Sequence, residues 1–480
     1  MSAPRVTLLG SQEERLREFL ESHPCGHERA AIVLFRRFAS EVRNLPSSER
    51  FVAVDIVPFD EAWISESSPS HIRFQLRNLR PLFQRCEEES LVFGFAHNHP
   101  VALLEFSEID ETNEQTLLQA LANRNGREVH FVALLRSCGS WIARVRHGVQ
   151  PTISMPARHV LVTGEALSIF SQGVPDRSET FMRQAAAFGQ PFVDHLRSLR
   201  VGVIGAGGTG SPTVSLLARA GVKELVVVDR DTLEESNLNR VRGATFHDVG
   251  RNKAEILKDF VVNFGLSTTV AHFPSRLDDD PITIDALSTC DVVFGCTDDQ
   301  IGREVLNLAV YMYALALIDV GLGGQVSTDA SGQPCLRYHF GRISTVLPEF
   351  GECLFCQGVI NEQWIQHDYA LRENPHLTDE QAAERYLQGG GEQAPGIGPF
   401  TSAVADLGVA TLFDLLKQFR RFPPELRRDA FRLDFVRMEF RSVQEKNDTD
   451  CPYCRQREFL LRSESCRLNR PALGRARIYV

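Results

Sequence analysis

The 480-residue chain contains no run of about 18 consecutive apolar residues, so no membrane-spanning helix is expected. Its opening stretch, MSAPRVTLLGSQEERLREFLESHP, holds no long apolar core and meets charge early, so no secretory signal peptide is expected either. Basic residues are not in excess. Lys and Arg number 52 against 62 Asp and Glu, and the net charge of −10 gives no support to a nucleic-acid-binding surface. Cysteine is too sparse for a secreted disulfide framework, with 11 in the chain. A reducing cytoplasm is therefore the expected setting, and cysteines clustered by spacing point to metal. No internal repeat of about 20–50 residues is visible. What is present is the balance of a soluble globular protein, 43% hydrophobic and 24% charged, at a length that suggests two to four domains.

The first part mixes two periodicities. Helices are expected over LLGSQEERLREFLESH, IRFQLRNLRPLFQRCEEE and EIDETNEQTLLQALANR, and strands over AAIVLF, FVAVDIV, SLVFGFAH, VHFVALL and SWIARVR. A less regular stretch with Pro151, Pro156, Gly164, Gly173 and Pro175 reads as a linker. From about Ser178 the pattern becomes strand, glycine turn, helix, strand: RVGVIGAGGTG, SPTVSLLARAG, KELVVVDRD. That alternation is the signature of a parallel α/β sheet. The expected organisation is an α+β domain over 1–150, a linker over 151–177 and a doubly wound, Rossmann-like α/β domain over 178–480.

The stretch HNHPVALLEFSEID, residues 97–110, carries the first constellation. His97 and His99 are two apart at a strand end, so they share a face. Ser107 opens the next helix and Asp110 lies in its first turn. Taken alone, S-E-I-D is a capping-box pattern and Ser107 an ordinary cap. Together, H-x-H-x7-S-x2-D fixes four residue types. Two imidazoles and one carboxylate leave a tetrahedral zinc one open position, where a bound water loses its proton near neutral pH.

This string resembles the JAMM (JAB/MPN/Mov34) metalloprotease family, which cleaves peptide or isopeptide bonds at the C-terminus of ubiquitin or ubiquitin-like proteins. The resemblance implies that His97, His99 and Asp110 bind a catalytic zinc and that Ser107 stabilises the oxyanion. Glu28, immediately before AAIVLF, would be the general base. One departure is Asn98, where the family usually has Ser or Thr.

The second constellation is GAGGTG: Gly205, Gly207, Gly208 and Gly210 between a strand and a helix, a place where backbone amides face phosphate. Asp229 ends the next strand, where a ribose-binding acid is expected. On these features alone a nicotinamide-dependent dehydrogenase fits. The longer strings DRDTLEESNLNRV, residues 229–241, and GRNKAE, residues 250–255, instead resemble the activating-enzyme family of ubiquitin-activating enzymes, MoeB and ThiF. That resemblance implies ATP-dependent adenylation of a protein C-terminus. Asp229, with Asp231 beside it, would hold the ATP ribose, and Asn237, Arg240 and Lys253 would face the phosphates. CTDD, residues 296–299, matches the family's C-T-D-N and makes Asp298 the magnesium carboxylate. Arg, Lys and Mg²⁺ offset the charge that builds when a carboxylate attacks the α-phosphate. FMRQ, residues 181–184, resembles the segment whose arginine, here Arg183, enters the partner's ATP site, which implies a homodimer.

Cys353 and Cys356 in CLFC, with Cys451 and Cys454 in CPYC, have the spacing of a closed four-thiolate structural zinc. A redox pair is the other use of C-x2-C. Thioester-forming activating enzymes carry a nucleophilic cysteine in the crossover after the first pair, but this chain has none between Cys356 and Cys451. Cys335 falls in an expected strand, and Cys466 in the tail is the one flexible substitute. The simpler expectation is MoeB-like, an acyl-adenylate passed directly to another protein's thiol or to a sulfur donor.

The two resemblances together imply a bifunctional enzyme of a bacterial ubiquitin-like pathway, with phage defence as its setting and a conjugating enzyme as a further partner. One domain would cut after the C-terminus that the other activates. The alternatives are sulfur-carrier activation toward a thiocarboxylate, a domain retained only for binding, or a dehydrogenase.

Overall fold

The computed structural model describes residues 3–41, 47–173, 175, 177–373, 396–443 and 450–461, and divides into two units, Met1–Arg177 and Ser178–Val480. Cys466 lies outside the described residues.

The first unit is built on nine strands: β1 (Arg5–Leu9), β2 (Ala30–Ser40), β3 (Ser48–Pro58), β6 (Val92–Asn98), β7 (His130–Ser137), β8 (Ser140–His147), β9 (Gln150–Pro156), β10 (His159–Thr163) and β11 (Leu167–Ser171). They pair in the order β11-β10-β1-β3-β2-β6-β7-β8-β9. A separate hairpin joins β4 (Ile64–Ser68) to β5 (His71–Phe74). Both sheet faces are covered. Leu16 and Leu20, four apart on helix α1 (Gly10–Glu21), enter a core with Val33, Phe51 and Trp141. Phe83 of α2 (Arg80–Glu88) and Leu117, Leu118 and Leu121 of α3 (Glu108–Asn125) enter a second core with Ile32, Phe93 and Phe131. The alternate residues of β2 thus feed two different cores, which is why AAIVLF is apolar throughout.

The structure departs from three expectations. The stretch 151–177 is no linker. β9, β10 and β11 come from it, and β10 pairs in parallel with β1, so the unit extends to Arg177. Its prolines misled because Pro151 and Pro156 sit on β9, an edge strand, where a missing amide costs no ladder bond. The helix expected over IRFQLRNLRPLFQRCEEE begins only at Arg80, since His71–Phe74 pairs as β5. The helix expected from the LLG stretch starts at Gly10, because Leu8 and Leu9 belong to β1.

The second unit has the alternating order expected of it. β12 (Arg200–Ile204), β13 (Glu224–Val228), β14 (Thr269–Phe273), β15 (Val292–Gly295) and β16 (Ala316–Thr328) run parallel, and β17 (Pro334–Val346), β18 (Ala430–Asp434) and β19 (Glu439–Ser442) extend the sheet antiparallel. The order is β14-β13-β12-β15-β16-β17-β18-β19. Its helices are α4 (Met182–Phe188), α5 (Gln190–Ser198), α6 (Gly210–Ala220), α7 (Lys253–Val262), α8 (Pro281–Ser288), α9 (Gln300–Tyr313), α10 (Glu362–Glu373) and α11 (Gly398–Lys417). By length and composition α11 could cross a membrane, but it packs on α6, β16 and β17 as a core helix of this unit. The strand order reverses between β12 and β15, and the space beyond their carboxyl ends is the usual ligand position in such sheets.

Candidate functional site

In the first unit, His97 is the penultimate residue of β6 and His99 follows the strand, while Ser107 caps α3 and Asp110 sits in its first turn. Their donor atoms converge. His97 Nε2 is 3.0 Å from Asp110 Oδ1, His99 Nε2 is 3.3 Å from Asp110 Oδ2, and the two Nε2 atoms are 3.3 Å apart. A zinc with N and O ligands at ordinary bond lengths needs tetrahedral donor separations of about 3.3 Å. The three donors fit such an ion. His99 Nδ1 lies 3.3 Å from the Leu103 carbonyl, the outer contact that turns Nε2 toward a metal. Burial works to raise the Asp110 pKa, but hydrogen bonds from His97 and His99 hold its carboxyl well below the usual carboxylate range.

Glu28 is buried beside these groups, with Oε1 3.9 Å from His99 Nε2. Its backbone is fixed by the β4–β5 hairpin, since its amide donates to Ser68 O at 2.8 Å and Ser67 Oγ donates to its carbonyl at 3.1 Å. Burial pushes its carboxyl pKa up, opposed by the two histidines. A carboxylate raised in this way suits a general base. The Ser107 hydroxyl donates to Asp110 Oδ2 at 2.8 Å and accepts from the Asp110 amide at 3.1 Å, so the capping reading is realised in full. An oxyanion role for Ser107 would need its hydroxyl to turn.

Sequence reasoning treated Asn98 as a minor departure and missed Glu114. Asn98 Oδ1 accepts from the Arg29 amide at 2.8 Å and pins the chain next to Glu28 onto the histidine strand. Glu114, one turn beyond Asp110, accepts from Arg144 and Arg146 of β8 at 2.9 Å each, and all but fully buried it anchors α3 to the sheet. The spacing of Asp110 and Glu114 on α3 was the available signal, but the arginine partners are 30 and more residues away.

In the second unit, Gly205 takes φ +96°, and the remaining glycines turn the chain from β12 into α6. A Cβ on Gly210 would stand 1.8 Å from Gly205 O, one on Gly205 2.5 Å from Cys296 O, and one on Gly208 3.2 Å from Arg240 Cδ, while Gly207 faces open space. Gly210→Ala is therefore expected to cost about 2 kcal/mol, whereas Gly207→Ala should fold like wild type. Urea unfolding checks this, and a Gly210→Ala protein of normal stability would contradict it.

The Asp229 carboxylate accepts from Ala206 N at 2.6 Å and Asp231 N at 2.7 Å, which ties the end of β13 to the glycine loop. Lys253 Nζ reaches Asp231 Oδ2 at 3.1 Å. Asn252, missed by the sequence reading, holds this arrangement. It caps α7 through Ala254 N and Glu255 N, and its Nδ2 donates to the carbonyls of Asp229 and Asp231. Arg240 lays its stem beside Gly208 and turns its guanidinium to Ser236 O and Asn239 Oδ1. Asn237 is buried with its Nδ2 on Ser236 Oγ, and so lines its own turn. Cys296 N bonds Ile204 O at 2.7 Å, so the 296–299 loop, with Asp298 exposed on it, runs beside the glycine loop. One exposed carboxylate there fits Mg²⁺, which takes one or two carboxylates plus substrate phosphates. Also missed was Asp319, fully buried on β16 opposite Gly295 and ion-paired to Arg342 and Arg303. Arg183 is exposed on α4.

The ThiF family profile matches residues 181–453, more than half of the chain. The chain belongs to the ThiF family. This ThiF chain is 34% identical over 147 residues to the molybdopterin-synthase adenylyltransferase of Salmonella typhimurium, covering 30% of this chain and 59% of that one. It is 36% identical over 148 residues to the SAMP-activating enzyme E1 of Haloferax volcanii, covering 30% and 54%. It is 34% identical over 140 residues to the sulfur carrier protein ThiS adenylyltransferase of Escherichia coli, covering 28% and 55%. The chain thus spans little more than half the length of these curated relatives. Among solved structures, E. coli MccB with AMPCPP and MccA matches at 18% identity and a TM-score of 0.43, over 58% of this chain and 75% of that one.

The four cysteines of the ThiF unit meet as their spacing suggests. Cys353 Sγ lies 3.6 Å from Cys451 Sγ, and Cys356 Sγ 3.6 Å from Cys454 Sγ, with all four within 4.8 Å. A four-thiolate zinc places sulfurs about 3.8 Å apart, so the cluster fits that ion. All four thiols are free of disulfides.

Proposed function

We propose that this chain uses ATP to adenylate the C-terminal carboxylate of a ubiquitin-like or sulfur-carrier protein, and that its N-terminal unit is a JAMM-type zinc peptidase acting at the same C-terminus. The observation that carries the first half is the meeting of the glycine loop, the Asp229–Asp231–Lys253 group and the Asp298 loop at the β12/β15 switch point of a ThiF-family sheet. The names of the relatives, a molybdopterin-synthase adenylyltransferase and a ThiS adenylyltransferase among them, favour sulfur-carrier activation. The second half rests on the convergence of His97, His99, Asp110 and Glu28.

In adenylation, amides at the start of α6 would receive phosphate, Asp229 the ribose, and Lys253 and Arg240 the charge developing on the phosphates. Asp298 would hold Mg²⁺, and Arg183 would complete the site of a partner copy. In the peptidase, a zinc held by His97, His99 and Asp110 would supply an acidified water. Glu28 would take that water's proton and pass it to the leaving amine. The four cysteines would hold a second, structural zinc. With no cysteine between Cys356 and Cys451, the adenylate would pass directly to an outside thiol or sulfur donor. A thiol-sensitive covalent adduct on the wild-type protein would overturn that step.

The test is ATP–pyrophosphate exchange with purified ubiquitin-like and sulfur-carrier proteins ending at their terminal glycine. Exchange is expected, and Lys253→Ala should lower it about a hundredfold. Binding of ATP without exchange for any carrier would remove the substrate class, and absence of ATP binding would remove the adenylation reading.

A further inference from the structure

We propose that Arg372 of α10 is a positioning residue for the magnesium loop: by pairing with Asp299 it keeps that second carboxylate engaged and leaves Asp298 alone to face the cation. The inference rests on the adenylation reading and goes beyond it to Arg372, which no motif singled out.

Two acidic residues stand side by side in the 296–299 loop; Asp298 is the more exposed, and the Asp299 side chain is 41% exposed. Asp299 is occupied from three sides. Its Oδ1 accepts from Gly302 N at 2.5 Å as the cap of α9, its Oδ2 accepts from Thr297 Oγ1 at 2.6 Å, and Arg372 Nη2 lies 3.4 Å from Oδ1. Arg372 is itself aimed by Asp278, whose Oδ2 accepts from Nη1 at 2.5 Å. Four residues earlier on α10, Asp368 Oδ2 accepts from Gln300 N at 2.6 Å. Residues four apart lie on one helix face, so α10 grips both the loop and the first turn of α9 with neighbouring side chains. The Arg372 and Asp278 side chains are each only 18% exposed, so their pairing is less screened than a surface ion pair.

The electrostatic consequence follows from sign. Without Arg372, Asp299 would lose the cation that holds its Oδ1 and would be freer to compete with Asp298 for the metal. The alternative is a purely structural bridge between α9 and α10. The two are separated by removing the charge of Asp299. Asparagine caps a helix as well as aspartate, so Asp299→Asn leaves the local fold in place.

The experiment is calorimetric titration of the full chain with ATP in excess Mg²⁺ and with ATP in EDTA, for wild type, Arg372→Ala, Asp299→Asn and the double variant. Arg372→Ala is expected to weaken MgATP binding about tenfold, in the range found for contacting residues, with metal-free ATP binding unchanged and the unfolding midpoint lowered by loss of the Asp278 pair. Asp299→Asn in the Arg372→Ala background should restore MgATP affinity. Wild-type MgATP affinity in Arg372→Ala, an equal loss with and without Mg²⁺, or failure of Asp299→Asn to restore binding would each overturn the proposal. Failure of the adenylation reading would show differently, as wild-type protein that does not bind MgATP at all.

Discussion

Glu28→Gln is expected to reduce cleavage of a C-terminally extended ubiquitin-like or sulfur-carrier protein about a thousandfold, with metal content unchanged. Glu28 lies outside the three-donor group but next to it, with Oε1 3.9 Å from His99 Nε2. Glutamine preserves its shape and its backbone contacts to Ser67 and Ser68, and removes only the ability to accept and release a proton. Asp110→Asn is the informative contrast. It alters a donor in contact with both histidines, so metal should be lost together with activity. Cleavage product is read by mass spectrometry and metal by elemental analysis of the same samples. Near wild-type cleavage by Glu28→Gln would remove Glu28 from the chemistry, and cleavage by metal-free protein would remove the zinc reading altogether.

Cys451→Ser is expected to lower the zinc content by one equivalent and to destabilise the second unit by several kcal/mol. Cys353 and Cys356 form a turn that leads into α10, and Cys451 and Cys454 lie beyond β19, so the cluster joins two distant stretches of chain. The turn is fixed from its far side as well, where Leu354 N donates to Asn307 Oδ1 of α9 at 2.9 Å. Loss of one thiolate should therefore loosen α10 and, through Asp368 and Arg372, the loop that carries Asp298. The measurements are zinc stoichiometry, the denaturant midpoint and MgATP affinity, and chelation of wild-type protein should move all three in the same direction. Full zinc content and an unchanged midpoint in Cys451→Ser would show that the cluster is not a metal site. A rise in the midpoint on oxidation would favour the redox use of C-x2-C.

Much of both sites was legible because each lies within a short, chemically constrained string. His97, His99, Ser107 and Asp110 fall in 14 residues, and a strand end followed by a capped helix brings such residues together with little help from the rest of the fold. The glycine loop and Asp229 were legible for the same reason, since a strand, a tight turn and a helix fix their relation locally. The misread stretch 151–177 shows the limit. Prolines and glycines mark a turn-rich segment, but whether it is a linker or an edge of a sheet depends on a partner strand, here β1, some 150 residues earlier.

The sequence by itself determined the two-part organisation, the α/β alternation of the second unit and the residue types of three chemical clusters, because periodicity and short-range spacing carry that information. Only the tertiary structure decided what holds those residues in place: Asn98 on Arg29, Glu114 between Arg144 and Arg146, Asn252 across the Asp229 loop, Arg372 on Asp299. Each is a polar contact between elements distant in the chain, and a buried polar group finds its partner only once burial has made leaving it unpaired costly. No pattern along the chain encodes such a pairing, since either residue alone reads as an ordinary surface side chain.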